Sequence, residues 1–218
     1  METQGYGQFI YEQIHDWPIV KPVTTAAIAA SVADAFGIGM DSAKKVTNVN
    51  MKRLADRGEL SRVLKGVYSI VKDTSFGKVT PRPDDILSSI LLNDGEGVIG
   101  YITGPTLLNR IGLCSLIPGD RHIATNRHRL RMPENTRIRV YKPIMTVNDE
   151  NAPYLQALEA FMAMEQYPID TEKPYEALRA MLLNNNIDNE KLILIARHNC
   201  GHKTLLQAID IALGEKLQ

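Results

Sequence analysis

Residues 41–71 read Asp41-Ser-Ala-Lys-Lys-Val-Thr-Asn-Val-Asn-Met-Lys-Arg-Leu-Ala-Asp-Arg-Gly-Glu-Leu-Ser-Arg-Val-Leu-Lys-Gly-Val-Tyr-Ser-Ile-Val71. The change of period inside this stretch decides the fold. Up to Arg57 the pattern is helical, with Asp41 or Ser42 as the expected N-cap and Gly58 as the stop. After Gly58 the residues alternate. Leu60 to Leu64 and Val67 to Val71 read as a β-hairpin, with Lys65-Gly66 in its turn. Toward the N-terminus, residues 7–16 place Phe9, Ile10, Gln13 and Ile14 at helical spacing, and Trp17-Pro18 ends that helix. A further helix is expected from a cap at Thr24 or Thr25 to about Ala35, closed by a turn at Gly37-Ile38-Gly39. Three short helices followed at once by a hairpin are the element order of a winged helix-turn-helix.

Toward the C-terminus, residues 73–83 are polar and carry two prolines, as a linker does. Asp84 to Leu92 reads as a helix, Gly97 to Ile102 as a strand, and Pro105 to Arg110 as a short helix opening on proline. His122 to Asn126 and Thr136 to Tyr141 are strand-like. From Ala152 the pattern is helical, with Leu155, Leu158, Phe161 and Met162 on one face. Further helices are expected at Tyr175 to Leu183, Leu192 to Arg197 and Leu205 to Leu213. The fold class is therefore α+β. A winged helix-turn-helix domain spans 1–72, a linker spans 73–83, and an α+β domain with a helical C-terminal part spans 84–218.

The composition fits a globular chain: 218 residues, 44% hydrophobic and 23% charged, too apolar for disorder. No run of roughly 18–20 apolar residues is present to cross a membrane. Met1-Glu-Thr-Gln-Gly5 lacks the basic and apolar regions of a signal peptide, so a cytoplasmic location is expected. Two cysteines, Cys114 and Cys200, cannot make a disulfide framework or a four-cysteine zinc site.

Lysine plus arginine and aspartate plus glutamate each number 25, but the zero net charge hides an asymmetry. Residues 41–72 hold eight basic and three acidic side chains, whereas residues 147–218 hold six and eleven. A basic patch of that density recruits polyanions, and the acidic third is repelled by them. With Val46 at 0° and about 100° per residue, Ala43, Val46, Val49 and Leu54 centre a core face near about 30°. Lys44, Asn48, Lys52 and Ala55 lie opposite, with Lys45 and Met51 on the flanks. A helix that enters the major groove needs this arrangement: lysines for phosphates or guanine, an amide for adenine, a small residue for close approach. Arg62 and Lys65 sit where a wing meets the flanking backbone. The candidate DNA-binding residues are thus Lys44, Lys45, Asn48, Lys52, Arg62 and Lys65. The plainer alternative is a solvated basic helix face. Asn50 and Arg53 fall on the presumed core side, which fits either a rim position or a shifted helix phase.

Arg121, Arg127, Arg129 and Arg131, with His122, His128, Arg137 and Arg139, form a candidate second basic surface for DNA or RNA. The alternative there is a charged edge strand and its loop. His198-Asn-Cys-Gly-His202 offers three possible metal ligands in five residues, but no partner pair exists, so it reads as a helix end and turn and no metal site is expected. Gly37-Ile-Gly39 lacks the spacing of a phosphate-binding loop. No nucleophile elbow or paired-carboxylate motif is present. Neither enzymatic activity nor a cofactor is expected, and Cys114 among apolar neighbours reads as a core residue.

The run Leu54-Ala-Asp-Arg-Gly-Glu-Leu-Ser-Arg-Val-Leu-Lys-Gly-Val-Tyr68 resembles the winged-helix segment of AbiEi-type antitoxins of bacterial abortive-infection systems. Tyr101-Ile-Thr-Gly-Pro-Thr-Leu-Leu-Asn-Arg-Ile-Gly-Leu113, followed by His122-Ile-Ala-Thr-Asn126, is similar to the start of that family's C-terminal domain. The resemblance covers about residues 7–146. It implies a type IV toxin-antitoxin system, in which the chain represses its own operon at inverted repeats of operator DNA. It also implies that the chain counteracts a nucleotidyltransferase-like toxin without forming a stable complex. A homodimer, or two monomers bending a repeat, would follow from such operators. Two other functions compete: a winged-helix transcriptional regulator whose C-terminal domain senses a ligand or partner, and an interaction module that binds protein instead of DNA.

Overall fold

The computed structural model describes residues 5–214. Local signals set the first elements. Helix α1 spans Tyr6–His15 and buries Ile10 and Ile14. After the two-residue strand β1 (Val23–Thr24), the Thr24 hydroxyl accepts the Ala27 N–H at 3.1 Å and starts α2 (Thr25–Phe36). Gly37, at φ +61°, ends that helix in the left-handed conformation. Helix α3 spans Met40–Asp56 and is capped by Gly39, not by Asp41 or Ser42. Asp41 instead lies in the first turn, where its charge complements the helix dipole. Gly58, at φ +76°, closes α3 and leads into β2 (Leu60–Leu64) and β3 (Val67–Ile70).

These strands form an antiparallel sheet in the order β1-β3-β2, with Val23 opposite Tyr68 and Leu60 opposite Ile70. A bulge between Arg62 and Leu64 precedes the turn, and Gly66 occupies that turn at φ +77°. Ile10, Ile28, Val32, Met51, Leu54 and Tyr68 belong to one core shared by the three helices and the sheet.

Helix α3 buries Ala43, Thr47, Met51 and Leu54, while Val49 is 50% exposed. Its core face therefore lies roughly 65° from the position that the apolar pattern suggested, toward Met51. Asn50 and Arg53 leave the presumed core as a result: Asn50 Nδ2 donates to the Val46 carbonyl at 2.9 Å, and Arg53 is exposed. Met51→Ala should then cost about 2–5 kcal/mol by urea denaturation. Val49→Ala should stay within about 0.5 kcal/mol.

The segment expected as a linker carries a hairpin of β4 (Lys72–Thr74) and β5 (Gly77–Val79). Thr74 Oγ1 accepts the Phe76 N–H at 3.2 Å and donates to the Gly77 carbonyl at 2.8 Å, which fixes the tip. The Ser69 and Thr80 hydroxyls pair at 3.0 Å beside it. The chain divides into two units, the first holding residues 1–90 and 132–136, the second the remainder. Helix α4 (Pro83–Leu92) contains the division.

In the second unit, β6 (Gly100–Ile102), β7 (Arg121–Thr125) and β8 (Ile138–Tyr141) form a sheet. β6 and β7 are antiparallel, and β7 and β8 are parallel. Helix α5 (Gly104–Arg110) lies between β6 and β7 in sequence. Four helices follow: α6 (Ala152–Gln166), α7 (Pro174–Asn184), α8 (Asn189–Asn199) and α9 (His202–Leu213). Helix α6 buries Leu155, Ala157, Leu158, Ala160, Phe161 and Ala163, which lie on more than one face. A helix apolar around most of its circumference belongs inside, and its alanines admit close neighbours. α5, β6, α7, α8 and α9 all pack against it. The architecture is mixed α+β. Among the described residues no helix is long and apolar enough to cross a membrane.

Candidate functional site

The first unit presents the basic residues on α3 and the β2–β3 hairpin. Lys44, Lys45, Asn48 and Lys52 are all exposed, as are Arg62 and Lys65. The rotated helix phase reorders them. Lys45 and Lys52 now centre the outward face beside Val49, Asn48 lies next to them, and Lys44 moves to the flank. α2 and α3 pack together across the three-residue turn 37–39, which leaves that outward face free of the core. A groove of about 500 Å³ runs beside the C-terminal half of α3, with Gln8, Tyr11, Asn50 and Arg53 on its walls. Arg57 lines it too, but pairs with Glu59 at 2.9 Å.

The second unit contains a cavity of about 180 Å³ that no sequence motif announced. Glu159 of α6 stands on one wall. Tyr101 Oη donates to its Oε1 at 3.3 Å, and Thr103 Oγ1 donates to its Oε2 at 2.8 Å. The interior position of α6 puts this carboxylate in a poorly solvated place. Burial pushes its pKa up, and the two hydroxyl donors offset only part of that rise. Tyr101 is raised in turn, by burial first and then by the carboxylate charge. Across the cavity, His122 of β7 meets the Tyr141 hydroxyl at 3.0 Å through Nδ1, and the two rings stack at 5.4 Å. Tyr167 stands edge-on to His122, at 6.5 Å between centroids. Burial and the Arg139 charge lower the His122 pKa, so the imidazole is neutral near pH 7. Gly104, at φ +56°, brings the backbone against this histidine: a Cβ there would stand 3.0 Å from Nδ1.

The shift at Glu159 has a readable consequence. A carboxyl raised above its ordinary 4.5 contributes stability in full below about that pH, and loses it as pH rises through the folded-state value. His122 acts in the opposite sense, since its lowered pKa removes stability as pH falls below about 6.5. Glu159→Gln isolates the first effect. Its stability relative to the unsubstituted protein should rise as pH climbs above about 4.5 and level off once pH has passed the folded-state value, as urea midpoints across a pH series would show.

Arg127, Arg129 and Arg131 are exposed, but Arg121 is only partly so and His122 is 6% exposed, turned into the cavity wall. Arg139 pairs with Asp120 at 2.7 Å. His198 lies in the last turn of α8, Cys200 caps that helix, and His202 begins α9. Among the described residues no three His, Cys, Asp or Glu side chains converge on a point that could hold a metal ion. Cys114 is buried, and its sulfur accepts the Leu116 N–H at 3.4 Å. Compared with models of known protein families and with curated proteins, the chain matches none.

Proposed function

We propose that the first unit is a winged helix-turn-helix that reads DNA, with α3 in the major groove and the β2–β3 hairpin on the flanking backbone. The observation that carries this reading is the outward face of α3. Lys45, Asn48 and Lys52 lie together there, on the second helix of a pair joined by a three-residue turn. Lys44, Arg62 and Lys65 are exposed on the flank and the hairpin, where phosphates would lie. The resemblance to AbiEi-type antitoxins extends the proposal. The chain would repress its own operon at inverted repeats and counteract a nucleotidyltransferase-like toxin without a lasting complex, with no catalytic step of its own. The cavity of the second unit favours one other reading, a transcriptional regulator whose C-terminal domain senses a small ligand.

A reporter fused to the chain's own upstream region tests the shared part. Repression by the unsubstituted chain, relieved in Lys45→Ala/Lys52→Ala, is the expected result; an unchanged reporter overturns DNA reading. A growth assay against a nucleotidyltransferase-like product of the adjacent gene separates the two readings. Rescue supports the antitoxin, whereas repression without rescue supports the ligand-sensing regulator.

A further inference from the structure

The cavity of the second unit has two charged groups of opposite sign on its lining and no ion pair between them. Among the described residues, only the neutral hydroxyls of Tyr101 and Thr103 hold Glu159. Lys142, the residue after β8, lines the same space and has no carboxylate partner among the described residues. A carboxylate half-buried without a cation is costly unless something else satisfies it. An ammonium group would do so here. The Tyr141 and Tyr167 rings on the lining add aromatic surface of the kind that attracts cations. An anion alone would meet the Glu159 charge and is disfavoured. A ligand that also carries a carboxylate gains a charge-assisted contact to Lys142 that a simple amine lacks.

Size narrows the class further. About 180 Å³ holds roughly six water molecules, well short of a nucleotide or a peptide. Met162 and Ala163 supply an apolar patch between the polar walls. A ligand that fits is small, carries one positive and one negative end, and has a short apolar part. We propose that this cavity binds a free α-amino acid, its ammonium on Glu159 and its carboxylate toward Lys142. The inference goes beyond DNA reading and does not depend on it, so loss of DNA binding would leave it standing.

The test is a thermal-shift screen of the full chain against the twenty common free amino acids, followed by calorimetric titration of any that act. At about one hundred times its Kd, a binding amino acid should raise Tm by several degrees. Glu159→Gln should abolish the shift, and its ligand-free Tm should equal or exceed that of the unsubstituted chain, since a half-buried carboxylate gives way to a neutral amide of the same shape. Lys142→Met, at an exposed position with no folding role, should weaken binding about tenfold or more. The N-acetylated amino acid and the matching decarboxylated amine should both fail. No shift with any amino acid overturns the proposal. So does a shift that survives both substitutions, or equal binding of the amine lacking the carboxylate.

Discussion

Gly100→Ala is expected to cost more than about 4 kcal/mol, the range reached only by drastic core changes. Strand β6 passes so close to the end of α4 that a Cβ at residue 100 would run into the Leu91 carbonyl oxygen. It would also stand 2.8 Å from the Ala124 carbonyl and 2.9 Å from Thr125 Cβ. Two of these three neighbours are backbone atoms in segments that hydrogen bonds tie to β6: next to Leu91, the Leu92 carbonyl accepts the Ile99 N–H at 2.9 Å, and β6 pairs with β7 through Tyr101 and Ala124. Neither can yield without opening the sheet, which is why glycine is needed inside this strand. Gly119→Ala is the matched control, because nothing lies within 4 Å of a Cβ there. Urea denaturation should show the first protein strongly destabilised and the second within about 0.5 kcal/mol.

How far such features were legible depends on whether they are local. Gly58 and Gly66 marked the end of α3 and the hairpin turn, and both adopt the left-handed backbone those roles require. Gly100 carried no such mark, because the atoms it must avoid belong to residues 91 and 124–125, distant in the chain. The phase of α3 was misplaced for a different reason. Val49 is apolar but exposed, while Thr47 is polar but buried, so hydrophobicity alone pointed the helix about 65° away from its true core face. The β4–β5 hairpin has every residue exposed, and a strand pair with no buried face shows no apolar alternation to read.

The cavity was least legible of all. Its walls come from Thr103, His122, Tyr141, Glu159 and Tyr167, brought together by three strands and a helix. Glu159 sits among Leu155, Leu158 and Phe161 and reads in sequence as an ordinary charge on an amphipathic helix. Only the packing of other elements around α6 makes it a half-buried carboxylate.

The second large effect concerns the basic face. Lys45→Ala/Lys52→Ala should weaken binding to the chain's own upstream DNA on the order of 50-fold at about 0.1 M salt, if each lysine neutralises one phosphate. The slope of log K against log salt should become shallower by about two, one for each contact removed. Lys44→Ala, on the flank of the helix, should cost less. Asn48→Ala should change sequence preference more than affinity for random DNA, since an amide reads a base edge and a lysine meets the backbone. The folded state should be untouched, because all four side chains are exposed and bind nothing in the core.

The most direct measurement is fluorescence anisotropy of the purified chain on its own upstream duplex and on a scrambled duplex, across a salt series. The outward face of α3 as a DNA reader predicts tight binding to the upstream duplex alone, falling steeply with salt and lost in Lys45→Ala/Lys52→Ala. Equal, weak binding to both duplexes, unchanged by those substitutions, would contradict it and leave that face a solvated basic surface.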